Sequence, residues 1–196
     1  MVRNKWRLLT ADHRPRYLGD GDEAWYRFPV VSEQDRAPIG KKRLQRLRAA
    51  AWDVRADAAR EFAKKAAEFL PPAAWLAYMP STTRRYCTSD PGGIESLFLA
   101  ALRDRRPDVL TVEPLERASP VPCVHEERIR EVSLLRSTLR PLPVDMTTDV
   151  LFVADDMVQT GATFAAFRDA LAEHFPTVRP VLLALVFSPR SVRFSE

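Results

Sequence analysis

The 196-residue sequence has only two cysteines and six glycines, and it has no long apolar run. Cys87 and Cys123 are isolated, without the CxxC or His-Cys spacing of a zinc site, and they do not form a disulfide framework. Neither GxxxxGK[ST] nor GxGxxG occurs, so the common glycine-rich nucleotide-binding loops are absent. No stretch is long enough to span a bilayer, and no apolar run follows the basic start as in a secretory signal. We therefore expect a cytoplasmic protein with no membrane partner.

The composition is that of a soluble globular protein, with 46% hydrophobic and 29% charged residues. The length fits one domain with an extension. A formal net charge of +4 favours anionic partners, and it suits a phosphorylated small molecule as well as a nucleic acid.

One stretch combines a buried strand with a polar loop. Residues 150–154 are all apolar, which is typical of a strand covered on both faces, and Asp155 and Asp156 then end it. Small, hydroxyl-bearing residues follow at 160–163, and apolar residues then recur at helical spacing: Phe164, Phe167, Leu171 and Phe175. The pattern predicts a strand, a tight loop and the start of a helix.

The loop and the two carboxylates suit different parts of a sugar phosphate. Unpaired backbone N–H groups at a helix N-terminus, with Gly161 and the hydroxyls of Thr160 and Thr163, form a pocket for phosphate. Ionised Asp155 and Asp156 only accept hydrogen bonds, which suits the 2′ and 3′ hydroxyls of a ribose. The chemistry predicts a ribose 5-phosphate site. A plain helix cap is the alternative, but it needs neither the second acid nor the Thr-Gly-Ala-Thr that follows.

Residues 149 to 188 resemble the phosphoribosyl pyrophosphate (PRPP) binding motif of type I phosphoribosyltransferases. In that motif a hydrophobic strand precedes two acidic residues, two mostly apolar positions, a variable one, and Thr-Gly-small-Thr. The order of elements is most similar to the ComF-like group. The resemblance implies an α/β fold with a parallel, Rossmann-like sheet. It also implies catalytic roles for Asp155 and Asp156 and a 5-phosphate site made by Gln159, Thr160, Gly161, Ala162 and Thr163. Mg²⁺ is expected to arrive with PRPP, without direct protein ligands.

Residues 1–71 are predicted to form an N-terminal extension, and residues 72–196 the α/β core. Apolar positions from Lys41 to Leu70 recur at steps of three and four, which predicts one long amphipathic helix ended by two prolines. Its basic first turns indicate either a solvated face or an anionic partner: Lys41, Lys42, Arg43, Arg46 and Arg48. Residues 24–31 are a candidate strand. The resemblance implies a hood over the active site, which here would come from the N-terminal part.

The core is expected to begin with a strand at 74–79. The loop after it carries hydroxyls and paired arginines that suit a pyrophosphate, although a polar surface turn is the alternative: Ser81, Thr82, Thr83, Arg84 and Arg85. A helix at 94–102 and a strand at 109–112 complete a right-handed parallel crossover. Residues 179–187 predict a further buried strand.

The long segment from Glu113 to Asp149 is expected to be a functional lid or to contain structure of its own. The resemblance implies a mobile loop leading into a Glu-Arg pair, and Glu127-Arg128 are similar to it. Arg128 is therefore a candidate catalytic residue that, with Arg130, stabilises the leaving group. His125 is read either as a surface residue or as a general acid.

The favoured function is a glycosyltransferase of the pentosyltransferase type, acting in nucleotide metabolism. It would transfer the phosphoribosyl group of PRPP to a small-molecule nitrogen nucleophile such as a nucleobase, with release of pyrophosphate. The alternative is a non-catalytic protein that senses PRPP or a nucleotide on the same scaffold and acts with nucleic acid or a protein partner. The resemblance also allows a homodimer.

Overall fold

A six-stranded sheet forms the centre of the molecule. The computed structural model describes residues 6–10, 14–29, 39–49, 51–80, 93–119 and 131–187. The strands lie in the order β1 (Arg7–Leu8), β2 (Glu23–Pro29), β8 (Arg179–Phe187), β7 (Val150–Val158), β3 (Trp75–Tyr78) and β4 (Leu110–Thr111). Every neighbouring pair is parallel except β1 with β2. The predicted α/β fold with a mostly parallel sheet is confirmed.

The sheet is covered on both faces, which explains the uninterrupted apolar runs of its central strands. In β7 and β8 successive residues enter different apolar clusters, because side chains of a strand alternate between its faces. Leu151 and Leu182 belong to a cluster with Phe164 and Phe167, whereas Phe152 and Leu183 contact one with Phe62 and Phe98: these two clusters form the core.

Helices supply the outer layers. On one face α2 (Trp52–Ala67) packs against α3 (Ile94–Arg105), with the ring centroids of Phe62 and Phe98 4.6 Å apart. On the other face α5 (Ala162–His174) follows β7 and buries Phe164 and Phe167. The predicted helix at 94–102, the strands at 74–79, 109–112 and 179–187, and the strand, loop and helix around the motif are all present.

The prediction of one helix from Lys41 to Leu70 is wrong. The chain forms α1 (Ile39–Leu47) and then α2, and Ala51 between them is extended at φ −67° and ψ 121°. Leu47 is fully buried in the core, and Arg48 forms an ion pair with Asp156. We infer that these tertiary contacts outweigh the helix propensity of the alanines in the break.

The prediction that the two carboxylates end their strand is also wrong. β7 continues through Asp155 and Asp156 to Val158, because β8 still pairs with it there, Val158 lying opposite Phe187. On its other side β3 stops earlier, at Tyr78 opposite Ala154. The carboxylates therefore lie on a strand that continues beyond its neighbour.

The connection between β4 and β7 contains secondary structure of its own, which was one of the two alternatives expected for the segment from Glu113 to Asp149. β5 (Leu115–Arg117) and β6 (Leu139–Pro141) form a separate antiparallel pair, and α4 (Val132–Ser137) packs on α5. The interpretation as a lid depends on residues 120–130, which lie outside the described residues.

The N-terminal part shares the sheet and the core with the rest of the chain. β2, which overlaps the predicted strand at 24–31, pairs in parallel with β8, and α2 packs against α3. The division at residue 71 stays a prediction. Over the part of the chain that the structure describes, no helix is long and apolar enough to cross a membrane.

Candidate functional site

The acidic pair lies at the carboxyl edge of the sheet, where β3 has ended and β7 continues. The Met79 N–H donates to the Ala154 carbonyl at 2.8 Å, and this is the last backbone contact between the two chain segments before the carboxylates. Ligands of open parallel sheets bind in crevices outside the carboxyl ends of the strands. Asp155 and Asp156 therefore stand where such a ligand is expected.

Arg48 is the cation that contacts this pair. Its Nε donates to Asp156 Oδ2 at 2.6 Å, and its Nη2 lies 2.6 Å from the same oxygen. The side chain of Asp156 is only 15% exposed. Sequence reasoning placed Arg48 in a basic helix face and did not connect it with the acidic pair, because the contact joins residues 108 positions apart.

The pKa of Asp155 is held well above its usual range. Burial is the main cause and the charge of Asp156 the next, while the charge of Arg48 acts in the opposite direction. The protonation of Asp155 therefore depends on the charged groups beside it.

Tyr78 and Glu95 add two further buried groups that sequence reasoning missed. Among the described residues, the Tyr78 hydroxyl has no hydrogen-bond partner. Burial, then the charges of Asp156, Asp155 and Glu95, raise the pKa of Tyr78 well above its usual value. Burial, followed by the charge of Glu113, raises the pKa of Glu95 to about 8. A polar residue within an apolar run was the only sequence signal for Tyr78.

The predicted phosphate loop forms a single turn between β7 and α5. Gly161 has a φ of 77°, in the left-handed region, and directly precedes the first residue of the helix. Within the described part of the chain no side-chain cap forms at this helix start, and the Ala162 nitrogen lies 3.5 Å from Thr160 Oγ1, at the limit of a hydrogen bond. Gln159, Thr160 and Thr163 are half-buried, while Gly161 and Ala162 are buried. The structure thus brings these five predicted residues together at one helix N-terminus.

A segment from the N-terminal part, residues 14–22, covers this loop. The Tyr17 N–H donates to the Thr160 carbonyl at 2.9 Å. A Cβ placed on Gly161 would lie 2.8 Å from Leu18 Cγ, so only glycine allows this approach. Asp22 at the end of the segment pairs with Arg168 of α5. Sequence reasoning expected a cover from the N-terminal part but did not identify these residues.

Several predicted site residues lie outside the described residues. These are the pyrophosphate loop, Ser81 to Arg85, and the candidate catalytic residue Arg128, together with His125 and Arg130. Pro80, the last described residue before the loop, is buried next to β3. The pyrophosphate half of the site therefore stays a prediction.

The described residues were compared with the ligand preferences of Mg²⁺. They contain no group of three His, Cys, Asp or Glu arranged to hold a metal ion. Asp155 and Asp156 offer carboxylate oxygens only. This donor set fits a hydrated Mg²⁺ that would enter with substrate phosphates, since carboxylate oxygens can accept hydrogen bonds from its waters without binding the ion directly.

Comparisons with known proteins gave distant structural similarity. No family model and no curated protein matches the chain. It is similar to the solved Helicobacter pylori xanthine-guanine-hypoxanthine phosphoribosyltransferase, with 12% identity, a TM-score of 0.37, and coverage of 71% of this chain and 86% of that one. A second structure, described as an analysis of an invariant aspartic acid in HPRTs with a glutamic acid mutant, is 18% identical with a TM-score of 0.35, covering 80% of this chain and 73% of that one. At these identities and TM-scores neither structure assigns a function to this chain.

Proposed function

We propose that the chain is a type I phosphoribosyltransferase that binds PRPP with Mg²⁺ and transfers the phosphoribosyl group to a nitrogen nucleophile. One observation carries the proposal. Two adjacent carboxylates and an uncapped helix N-terminus lie at the same edge of a parallel sheet, joined by a short turn. These are the groups that a ribose diol and a phosphate require.

The carboxylates of Asp155 and Asp156 bind the ribose in this proposal. Carboxylate oxygens accept hydrogen bonds from the 2′ and 3′ hydroxyls. Their negative charge also favours the positive charge that grows on the ribose as the bond to pyrophosphate weakens. We therefore assign the pair both binding and catalysis.

The turn before α5 binds the 5-phosphate. Backbone N–H groups of the first helical turn and the positive end of the helix dipole attract a phosphate. Gln159, Thr160 and Thr163 add polar side chains, and Gly161 and Ala162 contribute backbone N–H groups. The tight contact with Leu18 holds this turn in one conformation.

The reaction follows from these positions. The lone pair of the nucleophile attacks C1 of the ribose while the bond from C1 to the pyrophosphate oxygen breaks, and its electron pair leaves with pyrophosphate. The proton on the attacking nitrogen passes to water. When bound, Mg²⁺ offsets the negative charge of the leaving pyrophosphate. The predicted pyrophosphate loop, Ser81 to Arg85, and Arg128 would add cations on that side, and catalysis is mainly positioning and electrostatics.

The finer assignments are part of the same proposal. The ComF-like group is the subgroup that the order of elements favours, and a nucleobase is the expected nucleophile. Residues 14–22 lie on the phosphate turn and are the described candidates for part of a hood. A cytoplasmic location and a homodimer are likewise proposed.

Titration calorimetry with PRPP and Mg²⁺ tests the proposal. The wild type should bind PRPP saturably, and a variant with Asp155→Asn and Asp156→Asn should lose at least about a hundredfold in affinity, since two charged hydrogen-bond acceptors are removed. Bases can then be screened for pyrophosphate release. A folded wild type that does not bind PRPP would contradict the proposal.

The alternative, a sensor that acts with nucleic acid, has less support from the described contacts. Arg43 and Arg46 pair with Glu61, the latter at 3.8 Å, and Arg48 pairs with Asp156. Some of the basic side chains of α1 and its end are therefore already paired with carboxylates of the same chain. Tight nucleic-acid binding with a steep salt dependence would favour the sensor instead.

A further inference from the structure

Arg48 connects the end of α1 with the acidic pair on β7. It follows the last residue of α1, and both Nε and Nη2 approach Asp156 Oδ2 at 2.6 Å. The contact is partly shielded from water, since the side chain of Asp156 is 15% exposed and that of Arg48 41% exposed. A charge-assisted contact of this geometry fixes the direction of a carboxylate.

The fold holds Arg48 in this place. Leu47, immediately before it, is fully buried in the core cluster, and α1 contacts both β7 and β8. The negative end of the α1 dipole further favours a cation at this position. The break between α1 and α2 therefore delivers a guanidinium to the crevice.

The two contacts use one oxygen of the carboxylate. A carboxylate carries two oxygens with about four acceptor positions in all. We propose that Arg48 is a positioning residue of the ribose site, which holds Asp156 by Oδ2 and keeps Oδ1 directed to accept a hydrogen bond from a ribose hydroxyl. This inference rests on the proposed function and adds to it a residue from outside the motif.

Arg48 also sets the charge balance of the crevice. Burial and the charges of Asp156, Asp155 and Glu95 from α3 raise the pKa of Tyr78 on β3, and Arg48 from the end of α1 acts on both Tyr78 and Asp155. Arg48 is the cation among them, and its charge opposes the effects that raise the pKa of Asp155. Its removal should therefore shift the titration of Asp155 to higher pH.

A different role for the same contact predicts the opposite result. If Arg48 were a latch that blocks Asp156 until a ligand displaces it, its removal would strengthen ligand binding. The positioning role predicts weaker binding, because Asp156 would lose its fixed direction and Asp155 would be protonated over a wider pH range. The sign of the change separates the two roles.

The test compares Arg48→Gln with a matched control, Arg46→Gln. Both remove one arginine charge from the same part of the chain, but Arg46 lies near Glu61 and not near the acidic pair. Calorimetry with PRPP and Mg²⁺ at pH 7 should show about tenfold weaker binding for Arg48→Gln and a change below about twofold for the control. Arg48→Lys keeps the charge and should recover part of the affinity. Circular dichroism confirms that each variant is folded.

A second readout needs no ligand. Carboxyl ¹³C NMR of labelled aspartates follows the titration of Asp155 in the ligand-free protein. Its midpoint should move to higher pH in Arg48→Gln and stay in place in Arg46→Gln. An unmoved midpoint in Arg48→Gln would contradict the electrostatic part of the inference.

The outcomes distinguish this inference from the proposed function. If the wild type binds PRPP and Arg48→Gln binds it equally or more tightly, only the role of Arg48 is overturned. If the wild type does not bind PRPP, the proposed function fails and the ribose role of Arg48 fails with it. Weaker binding with a shifted Asp155 titration supports both.

Discussion

Two groups of residues meet at the candidate site, and they are built in different ways. Asp155 to Thr163 form one continuous stretch, in which a strand passes through a turn into a helix. The residues around that stretch come from distant parts of the chain: Tyr17, Leu18, Arg48, Tyr78 and Glu95. In our proposal the first group offers the chemical groups for a ligand, and Tyr17, Leu18 and Arg48 of the second group hold them in place.

The difference shows which part of a site depends on local sequence and which on packing. A left-handed φ of 77° at Gly161 is a local requirement of the turn. The 2.8 Å separation between an added Cβ and Leu18 Cγ is a requirement imposed by another element. Gly161 therefore meets both the backbone requirement of the turn and the packing requirement set by Leu18.

Gly161→Ala violates both requirements and should have the largest effect on stability. We expect a loss of about 3 kcal/mol in the free energy of unfolding, because left-handed strain and the clash with Leu18 add. Urea unfolding measures it. Gly21→Ala is the control, since no atom of the described residues lies within 4 Å of its added Cβ, and it should change stability by less than about 0.5 kcal/mol. Equal effects of the two substitutions would contradict this account.

Leu18→Ala changes only the packing requirement, by shortening a side chain of the segment 14–22 that covers the turn. Leu18 is 6% exposed and belongs to a core cluster, so its truncation should cost about 2 kcal/mol in unfolding free energy. It should also weaken PRPP binding a few-fold, because the turn loses its support. Leu8→Ala, at a side chain that is 45% exposed, should do neither. A destabilised Leu18 variant with unchanged PRPP affinity would show that the cover does not order the turn.

Glu95→Gln tests whether the buried Glu95 carboxyl makes the stability of the protein depend on pH. The pKa of Glu95 is raised to about 8 in the folded state, whereas the unfolded chain releases this proton near the ordinary glutamate pKa of 4.5. Glu95 therefore lowers the free energy of unfolding as pH rises from about 4.5 to about 8, by a few kcal/mol. Glu95→Gln should flatten this decrease in urea unfolding measured across that range. Asp104→Asn, at an exposed residue of α3, should keep the wild-type slope.

Tyr78→Phe should have the smallest effect. Its buried hydroxyl has no partner among the described residues, so removing it should leave the unfolding free energy unchanged or raise it by up to about 1 kcal/mol. Thermal unfolding at pH 7 measures the change. A loss of more than about 1 kcal/mol would mean that the hydroxyl is satisfied in the folded protein.

Much of the fold was predictable because its signals are local. Continuous apolar runs identified β7 and β8, and helical spacing after Thr163 identified α5. The end of β7 was not predictable, because Asp155 and Asp156 stay in the strand through pairing with β8 rather than through their own propensity. The break after Leu47 has the same kind of cause, since Leu47 and Arg48 contact other elements.

The candidate site divides in the same way. The residues proposed to bind ribose and phosphate follow one another in the chain, so the motif could be read from the sequence. The contacts of Arg48 with Asp156 and of Tyr17 with Thr160 join residues that carry no common pattern. Such pairs become visible only when the sheet brings their elements to one edge.

The most direct test of a ribose phosphate site at this edge is a titration of the ¹⁵N-labelled protein with PRPP and Mg²⁺, followed by NMR. The account predicts saturable shifts of the backbone amides of Asp155, Asp156, Ala162 and Thr163, and much weaker shifts with the 2-deoxyribose analogue, which lacks one hydroxyl of the diol. No shifts at these amides, or equal binding of the deoxy analogue, would contradict it.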